Sequence, residues 1–150
     1  MKTIYVKPVE IIGNCRANLT SDDEFRIKGS NLENPRQSNV CYRALAHFPP
    51  IVNLLQQENR FYALLLCPEC PSQPGAENSV TFLLGHEDKW ELCQMISDYH
   101  RLWKQCPESD SARQLRVEAT QHQKRGEYAE ATENMKAALA EMKRLVILQD

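Results

Sequence analysis

The sequence has no excess of charge of either sign and no basic cluster. Its 150 residues carry 18 Lys and Arg against 20 Asp and Glu, a formal net charge of −2. Basic residues adjoin only in pairs such as Lys124-Arg125. Nucleic acids and anionic membrane surfaces both attract clustered basic side chains. We therefore expect no nucleic acid among the partners of this protein.

Long apolar runs are missing too. No stretch approaches the roughly 20 consecutive apolar residues that a membrane-spanning helix needs. Residues 1–8 include Lys2 and Lys7 and lack the uninterrupted apolar core of a secretory signal peptide. We therefore predict no membrane partner and a cytoplasmic location, where cysteines stay reduced as thiols or bind metal as thiolates.

The familiar catalytic signatures are also missing. The sequence contains no GxSxG, no HExxH and no glycine-rich phosphate loop. Its 4 histidines are scattered singly, and we expect each to have a hydrogen-bonded structural role. We therefore predict that this protein is not an enzyme and has no catalytic residue.

What the sequence does have is 6 cysteines, a high count for a cytoplasmic chain. Cys67 and Cys70 form its CxxC pair, within the stretch CPECP. Two thiolates at this spacing can bind one metal ion, and a tetrahedral zinc site needs two more ligands. Cys15 and Cys41 are our candidates for those ligands. Zinc fits better than an iron–sulfur cluster, because CPxCP resembles a zinc knuckle.

Two other interpretations of the CPEC motif stay open. Cys67 and Cys70 would serve as attacking and resolving thiols in a redox protein, but such pairs usually lie at a helix N-terminus. Pro71 and Pro74-Gly75 disfavour a helix after this pair. The third interpretation is a stiff turn without metal. In that case cysteines, Cys93 and Cys106 included, pack as small apolar side chains.

Residues 1–85 are typical of a small α+β domain. Strands are predicted near residues 4–12, 24–28, 61–66 and 79–85. Residues 31–39 are polar and predict a loop. A helix is predicted over residues 40–48, to be ended by Pro49-Pro50, with another turn or two over residues 51–57. The apolar run at 61–66 predicts a buried strand that delivers the CPEC motif to its end.

From residue 86 the pattern changes to helix, and we predict a second, helical domain over residues 86–150. Apolar side chains recur at spacings of three and four through residues 90–103. A hairpin is predicted over residues 109–148, with Ser109 or Ser111 as a cap and a break at Gly126. Its last helix carries a heptad seam, which must pack against a neighbouring helix or a partner. Our candidate partner-binding residues in this helix are Tyr128, Met135, Leu139, Met142 and Leu145. The predicted fold class is therefore α+β, with a small mainly antiparallel sheet and one or two short helices, followed by about three helices.

Four short motifs in the first domain follow a recurring order: Gly13-Asn14-Cys15, Asp23-Glu24-Phe25, Cys41 with Ala44-Leu45, and Cys67-Pro68. Residues 3–85 thereby resemble a family of small uncharacterised prokaryotic proteins with the pattern G-x-C … G-D-x-F … C-x-x-A-L … C-P-[DE]. Asp22 stands where that pattern has glycine. The resemblance implies that Cys15, Cys41 and Cys67 converge, and it implies no activity.

The second domain weakly resembles a single tetratricopeptide-like hairpin. The matching positions are Ala119, Gly126, Tyr128, Ala131, Met135 and Ala138. Such hairpins usually present a groove to a peptide or protein, and one repeat alone needs a neighbour to bury its faces. We therefore predict a small non-enzymatic binding or adaptor protein, whose partner is another protein or a second copy of the chain. The alternative is a metal-binding or thiol-redox protein that uses the CPEC motif.

Overall fold

A computed structural model describes residues 1–15, 17–57, 60–69 and 77–149. These residues contain five strands and five α-helices. The strands are β1 (Thr3–Ile12), β2 (Phe25–Lys28), β3 (Asn31–Glu33), β4 (Tyr62–Leu66) and β5 (Ser79–His86). The helices are α1 (Tyr42–Leu45), α2 (Phe48–Leu55), α3 (Trp90–Gln105), α4 (Asp110–Lys124) and α5 (Tyr128–Gln149). The predicted α+β class is confirmed.

The chain divides into two units, Met1–Trp90 and Glu91–Asp150. The predicted boundary at residue 85 falls a few residues before this division. The reason is local, because β5 continues through His86 and a short 3₁₀ turn, Glu87–Lys89, leads directly into α3. Trp90 also belongs with the sheet, since its ring packs edge-on against Tyr5 of β1, with the ring centroids 5.4 Å apart.

The described strands form one antiparallel sheet in the order β3-β2-β1-β5-β4. β1 lies at the centre and pairs with β2 and β5. The register between β1 and β5 shifts between Pro8 and Glu10, the irregularity expected at a proline that has no N–H to donate. β3 and β4 are the two edges of the sheet.

Two predictions at turns of this unit are wrong. Residues 31–33 form β3 instead of a loop, because Gly29, with φ of +62°, lets the chain turn back onto β2 within two residues. Pro49 and Pro50 begin α2 instead of ending a longer α1, which stops at Leu45. Both prolines lie in the first turn of α2, where backbone N–H groups have no partner within the helix.

The core of the sheet unit lies on the face of the sheet that α1 and α2 cover. Phe48 of α2 is its centre, with ring centroids 5.9 Å from Phe25 and 5.1 Å from Phe82. The buried side chains around it come from alternate positions of the strands and from both helices: Ile4, Val6, Ala44, Val52, Leu55, Val80 and Leu84. The aromatic contacts fix α2 against the middle of the sheet.

In the second unit, α4 and α5 pack as the predicted hairpin. Ser109 is the cap, since its Oγ accepts a hydrogen bond from the Ala112 N–H at 3.1 Å. Gly126 lies in the turn between the helices with φ of +76°, a conformation that favours glycine. Alanines at the buried positions of both helices allow close approach: Ala112, Ala119, Ala131 and Ala138.

Candidate functional site

The CPEC motif directly follows β4, and the structure describes its first three residues, whereas Cys70 lies outside the described residues. The Cys67 N–H donates to the Val80 C=O at 2.8 Å, which extends the pairing of β4 with β5 by one residue. The Cys67 side chain is buried in the core of the sheet unit.

Glu69 connects the CPEC turn to α2. Its Oε1 lies 2.8 Å from Nε2 of His47, the residue that precedes the first turn of α2. Both side chains are about one-third exposed, at 35% for His47 and 33% for Glu69. A pair this open to water contributes at most about 1 kcal/mol. It is therefore a minor contribution to the stability of the fold.

The other members of the predicted zinc set lie around the same core. Cys15 and Cys41 are half-buried and pack against the cluster that contains Cys67. Within the described ranges, however, no three His, Cys, Asp or Glu side chains are grouped as a metal ion would require. The site of Cys15, Cys41, Cys67 and Cys70 therefore stays a prediction. The family resemblance implies that Cys15, Cys41 and Cys67 converge. The structure shows that the three residues share one core cluster.

The predicted partner-binding seam of α5 lies mostly in the interior. Met135, Leu139 and Met142 are buried, and Tyr128 and Leu145 are half-buried. The heptad pattern thus identified the buried stripe of α5. A partner would reach the three buried residues only if α5 moved away from its neighbours, so the role of this seam in binding stays a prediction.

The exposed apolar surface that sequence reasoning missed is on β4. The run at 61–66 predicted a buried strand, but β4 is an edge strand with two exposed leucines, so this prediction is wrong. Leu64 is 43% exposed and Leu66 is 62% exposed. Because they are two residues apart, they lie on the same face, opposite to Ala63 and Leu65, which pack against the core. No local signal could have revealed this, because the position of a strand within a sheet is set by its pairing.

The hydrogen bonds to β5 show which backbone groups of β4 point outward. At the two ends of the strand, Phe61 accepts from the His86 N–H and Cys67 donates to the Val80 C=O. Hydrogen bonding in an antiparallel pair alternates along each strand, so the odd-numbered residues bond to β5. The N–H and C=O groups of Leu64 and Leu66 therefore point away from β5. Among the described strands, none lies beyond β4 on that side.

The strongest polar cluster of the second unit holds the start of α4 to α3. Glu108 accepts two hydrogen bonds from Arg116, each at 2.9 Å, and a third from the Tyr99 hydroxyl. The Arg116 guanidinium also lies 4.6 Å from the centre of the Trp103 ring. Hydrogen bonds from Arg116 hold the pKa of Glu108 below its usual value, and burial raises the pKa of Tyr99. Since Glu108 is fully engaged by these donors, we assign the cluster a structural role.

The histidines also have structural contacts. Hydrogen-bonding contacts join His47 to Glu69, His86 to the Leu55 carbonyl, and His122 to Glu127. His100 differs, because its ring stacks on Trp103 at an interplanar angle of 11°. Within the described part of the chain, the structure therefore gives no histidine an arrangement with a cysteine and a carboxylate that would hold a metal ion.

The chain matches no protein-family model, no curated protein and no solved structure. Both resemblances drawn from the sequence therefore stay predictions. In the described ranges, no helix has the length and apolar character required to cross a bilayer.

Proposed function

We propose that this protein is a small non-enzymatic binding protein that acts through protein–protein contact, and that it binds its partner along the edge of β4. The observation that supports this is the coincidence of exposed leucines and outward-pointing backbone groups on one strand. An edge of this kind can take up an extended strand from a partner. Main-chain hydrogen bonds then give affinity, and alternate side chains give specificity.

The composition of β4 supports the same proposal. Natural sheets usually protect their edges with short strands, charged side chains, proline or bulges. Tyr62–Leu66 is five residues long and contains no charge and no proline. The opposite edge, β3, is three residues long and ends in Glu33, which pairs with Arg26 at 2.6 Å. Of the two edges of the described sheet, β4 is therefore the one without charged side chains or proline, which favours pairing with a partner strand.

The proposal includes a cytoplasmic location. Cys15, Cys41 and Cys106 form no disulfide. Reduced thiols are the ordinary state of cysteines in the cytoplasm. This part of the proposal is tested independently, by fractionation of cells that express the full chain.

Strand addition is tested with a labelled synthetic peptide that carries residues 60–66 between added lysines. We expect saturable binding of this peptide to the full-length protein, measured by fluorescence anisotropy. Leu66→Lys should weaken binding about tenfold or more, equivalent to about 1.4 kcal/mol. Leu32→Lys on β3 is the matched control, because Leu32 is likewise an exposed leucine of an edge strand, at 43%, but lies on the other edge.

A second peptide, with proline at the position of Leu64, controls for non-specific apolar contact, because proline cannot donate to a ladder. Circular dichroism of each variant establishes that it is folded. The proposed function is wrong if the first peptide does not bind, or if both peptides bind folded wild-type protein equally well.

A further inference from the structure

We infer that a cavity on the β3 side of the sheet binds a small zwitterion, a free amino acid that carries one carboxylate and one ammonium group. This goes beyond the proposed function, because β4 lies at the opposite edge of the sheet and does not line the cavity. The inference comes from the size of the cavity, from two charges of opposite sign that line it, and from the turn that forms one of its walls.

The cavity has a volume of about 210 Å³. Pockets that hold drug-sized ligands enclose roughly 300–1,000 Å³, so this one fits a smaller molecule. Phe25 packs in the core, so the side chains on either side of it, Glu24 and Arg26, lie on the opposite face of β2. The described residues that line the cavity come from β1, from β2 and the residue before it, and from the turn after β3: Tyr5, Glu24, Phe25, Arg26, Pro35 and Arg36.

Two of the three charged residues in this lining have no partner in the described parts of the chain. Arg26 is already paired, since its Nε donates to Glu33 at 2.6 Å. The carboxylate of Glu24 and the guanidinium of Arg36 form no hydrogen bond or ion pair with each other or with any other described residue. The cavity is therefore lined by one uncompensated negative charge and one uncompensated positive charge.

These two charges decide which class of ligand fits. A simple anion would be attracted by Arg36 and repelled by Glu24, and a simple cation would meet the reverse. A zwitterion can place its carboxylate beside Arg36 and its ammonium group beside Glu24, so that both charges are compensated. Guanidinium is suited to the first contact, because two of its N–H groups can donate to the two oxygens of one carboxylate.

The rest of the lining favours an aliphatic side chain on the ligand. The Tyr5 hydroxyl already donates to Glu87 at 3.2 Å, so the tyrosine offers the cavity its ring more than its polar group. Pro35 adds a second apolar surface, and its own exposure leaves the cavity open to solvent. Leucine combines a zwitterionic backbone with an aliphatic side chain and is therefore a suitable probe.

The turn that carries Arg36 is held in place independently of any ligand. The Asn34 side chain accepts from the Ser38 N–H at 2.8 Å and donates to the Ser38 C=O at 2.7 Å. The Ser38 hydroxyl accepts from the Glu24 N–H at 3.0 Å, which joins the turn to the start of β2. Gln37 in this turn has φ of +52°, a conformation that costs free energy in a residue other than glycine. The same hydrogen bonds thus position both unpaired charges, and binding does not have to order the turn.

A titration of the ¹⁵N-labelled full chain with three matched probes tests the inference. Isocaproate has the skeleton of leucine without the ammonium group, and isoamylamine has it without the carboxylate. We expect leucine to shift the amide signals of Glu24, Arg26 and Arg36 in a saturable way. Each analogue should bind about tenfold more weakly than leucine, because one charge of the cavity then has no partner.

Two variants of the cavity separate recognition from folding. Glu24→Gln and Arg36→Gln should each weaken leucine binding about tenfold. Glu24→Gln should also bind isocaproate more tightly than the wild type does, and Arg36→Gln should bind isoamylamine more tightly, since each removes a like charge. Asp22→Asn and Lys28→Gln are matched controls at exposed charges outside the cavity, and both should bind leucine as the wild type does.

Circular dichroism establishes that each variant is folded, and the three probes on the wild type decide the question if a cavity variant does not fold. Leucine that shifts no signal of the cavity, or that binds either folded cavity variant as tightly as the wild type, overturns the inference. Isocaproate that binds the wild type as tightly as leucine also overturns it, because the cavity would then be a simple anion site. None of these results bears on the proposed function, which the strand peptide tests separately.

Discussion

Glu108 in the helical unit and His86 in the sheet unit are two polar side chains with little exposure to water that differ in how many hydrogen bonds they form. Glu108 accepts three hydrogen bonds, two from Arg116 and one from Tyr99. Its side chain is 9% exposed, so nearly all of its charge is balanced by these donors instead of by water. The helical unit therefore depends on its buried charge being paired.

His86 is completely buried, and only one of its ring nitrogens has a partner. Nε2 contacts the Leu55 carbonyl, which can only accept, so Nε2 must carry the proton and donate it. Nδ1 is then a buried acceptor that has no donor among the described residues. In the same unit, Trp90 Nε1 is a buried donor that has no acceptor among them. Burial lowers the pKa of His86, so the folded protein holds it neutral.

The difference between the two groups shows that burial alone does not predict the effect of a substitution. Removing Arg116 leaves the charge of Glu108 without its cationic partner, and this is strongly destabilising. His86 is neutral and already only half satisfied, so its effect on stability appears mainly as a dependence on pH. The predictions that follow test this comparison by altering each group in turn.

The largest effect is expected for Arg116→Met, which keeps the length of the side chain and removes both hydrogen bonds to Glu108. We expect the free energy of unfolding to fall by roughly 2–3 kcal/mol, measured by urea denaturation at neutral pH. This is less than the loss for a fully buried pair, because the Arg116 side chain is 26% exposed. Arg113→Met is the control: its pair with Asp110 is exposed and should contribute less than about 1 kcal/mol. Equal losses in the two variants would contradict the comparison.

A smaller effect is expected from the titration of His86. Its pKa in the folded state is lowered from 6.5, so the unfolded chain binds a proton that the folded chain does not. Stability conferred by neutral His86 is therefore complete above about pH 6.5 and is lost as the pH falls below it. The loss is at most about 1.4 kcal/mol per pH unit for one proton.

His86→Gln tests this prediction, because the amide nitrogen of glutamine can keep the hydrogen bond to Leu55 and does not titrate. Urea unfolding at pH values from neutral to about 5 should show a shallower decline in stability for this variant than for the wild type. Some decline should remain, since burial also lowers the pKa of His100. An unchanged pH dependence in the folded variant would show that His86 does not contribute.

The parts of the fold that were predicted correctly are those that depend on short stretches of sequence. A serine at the cap, a glycine at the break and apolar residues at helical spacing correctly predicted the helices α4 and α5. Pro49-Pro50 was misinterpreted because proline ends one helix and begins another equally well. The sequence carries no sign of which role applies until the position of Phe48 in the core is known.

The candidate site depended on information that no local pattern contains. The apolar run of β4 predicts that a strand forms there. Whether the side chains of that strand are exposed depends on its position at the edge of the sheet, which the run does not contain. The contact of Glu69 with His47 joins residues 22 positions apart, and no regular spacing in the sequence predicts such a contact. The seam of α5 showed which residues are buried, but periodicity cannot say whether a neighbouring helix or a partner buries them.

The smallest effect is expected for Tyr99→Phe, which removes the third donor to Glu108 and leaves the aromatic packing in place. Arg116 continues to satisfy the carboxylate, so we expect a loss of about 1 kcal/mol in the free energy of unfolding at neutral pH. The Tyr99 ring lies 6.0 Å from the Trp103 ring, an edge contact that phenylalanine preserves. Arg116→Met combined with Tyr99→Phe should destabilise by more than the sum of the two changes, because Glu108 then has no described donor left. A double-mutant cycle by urea denaturation measures this coupling, and strictly additive losses would mean that the two donors act on Glu108 independently.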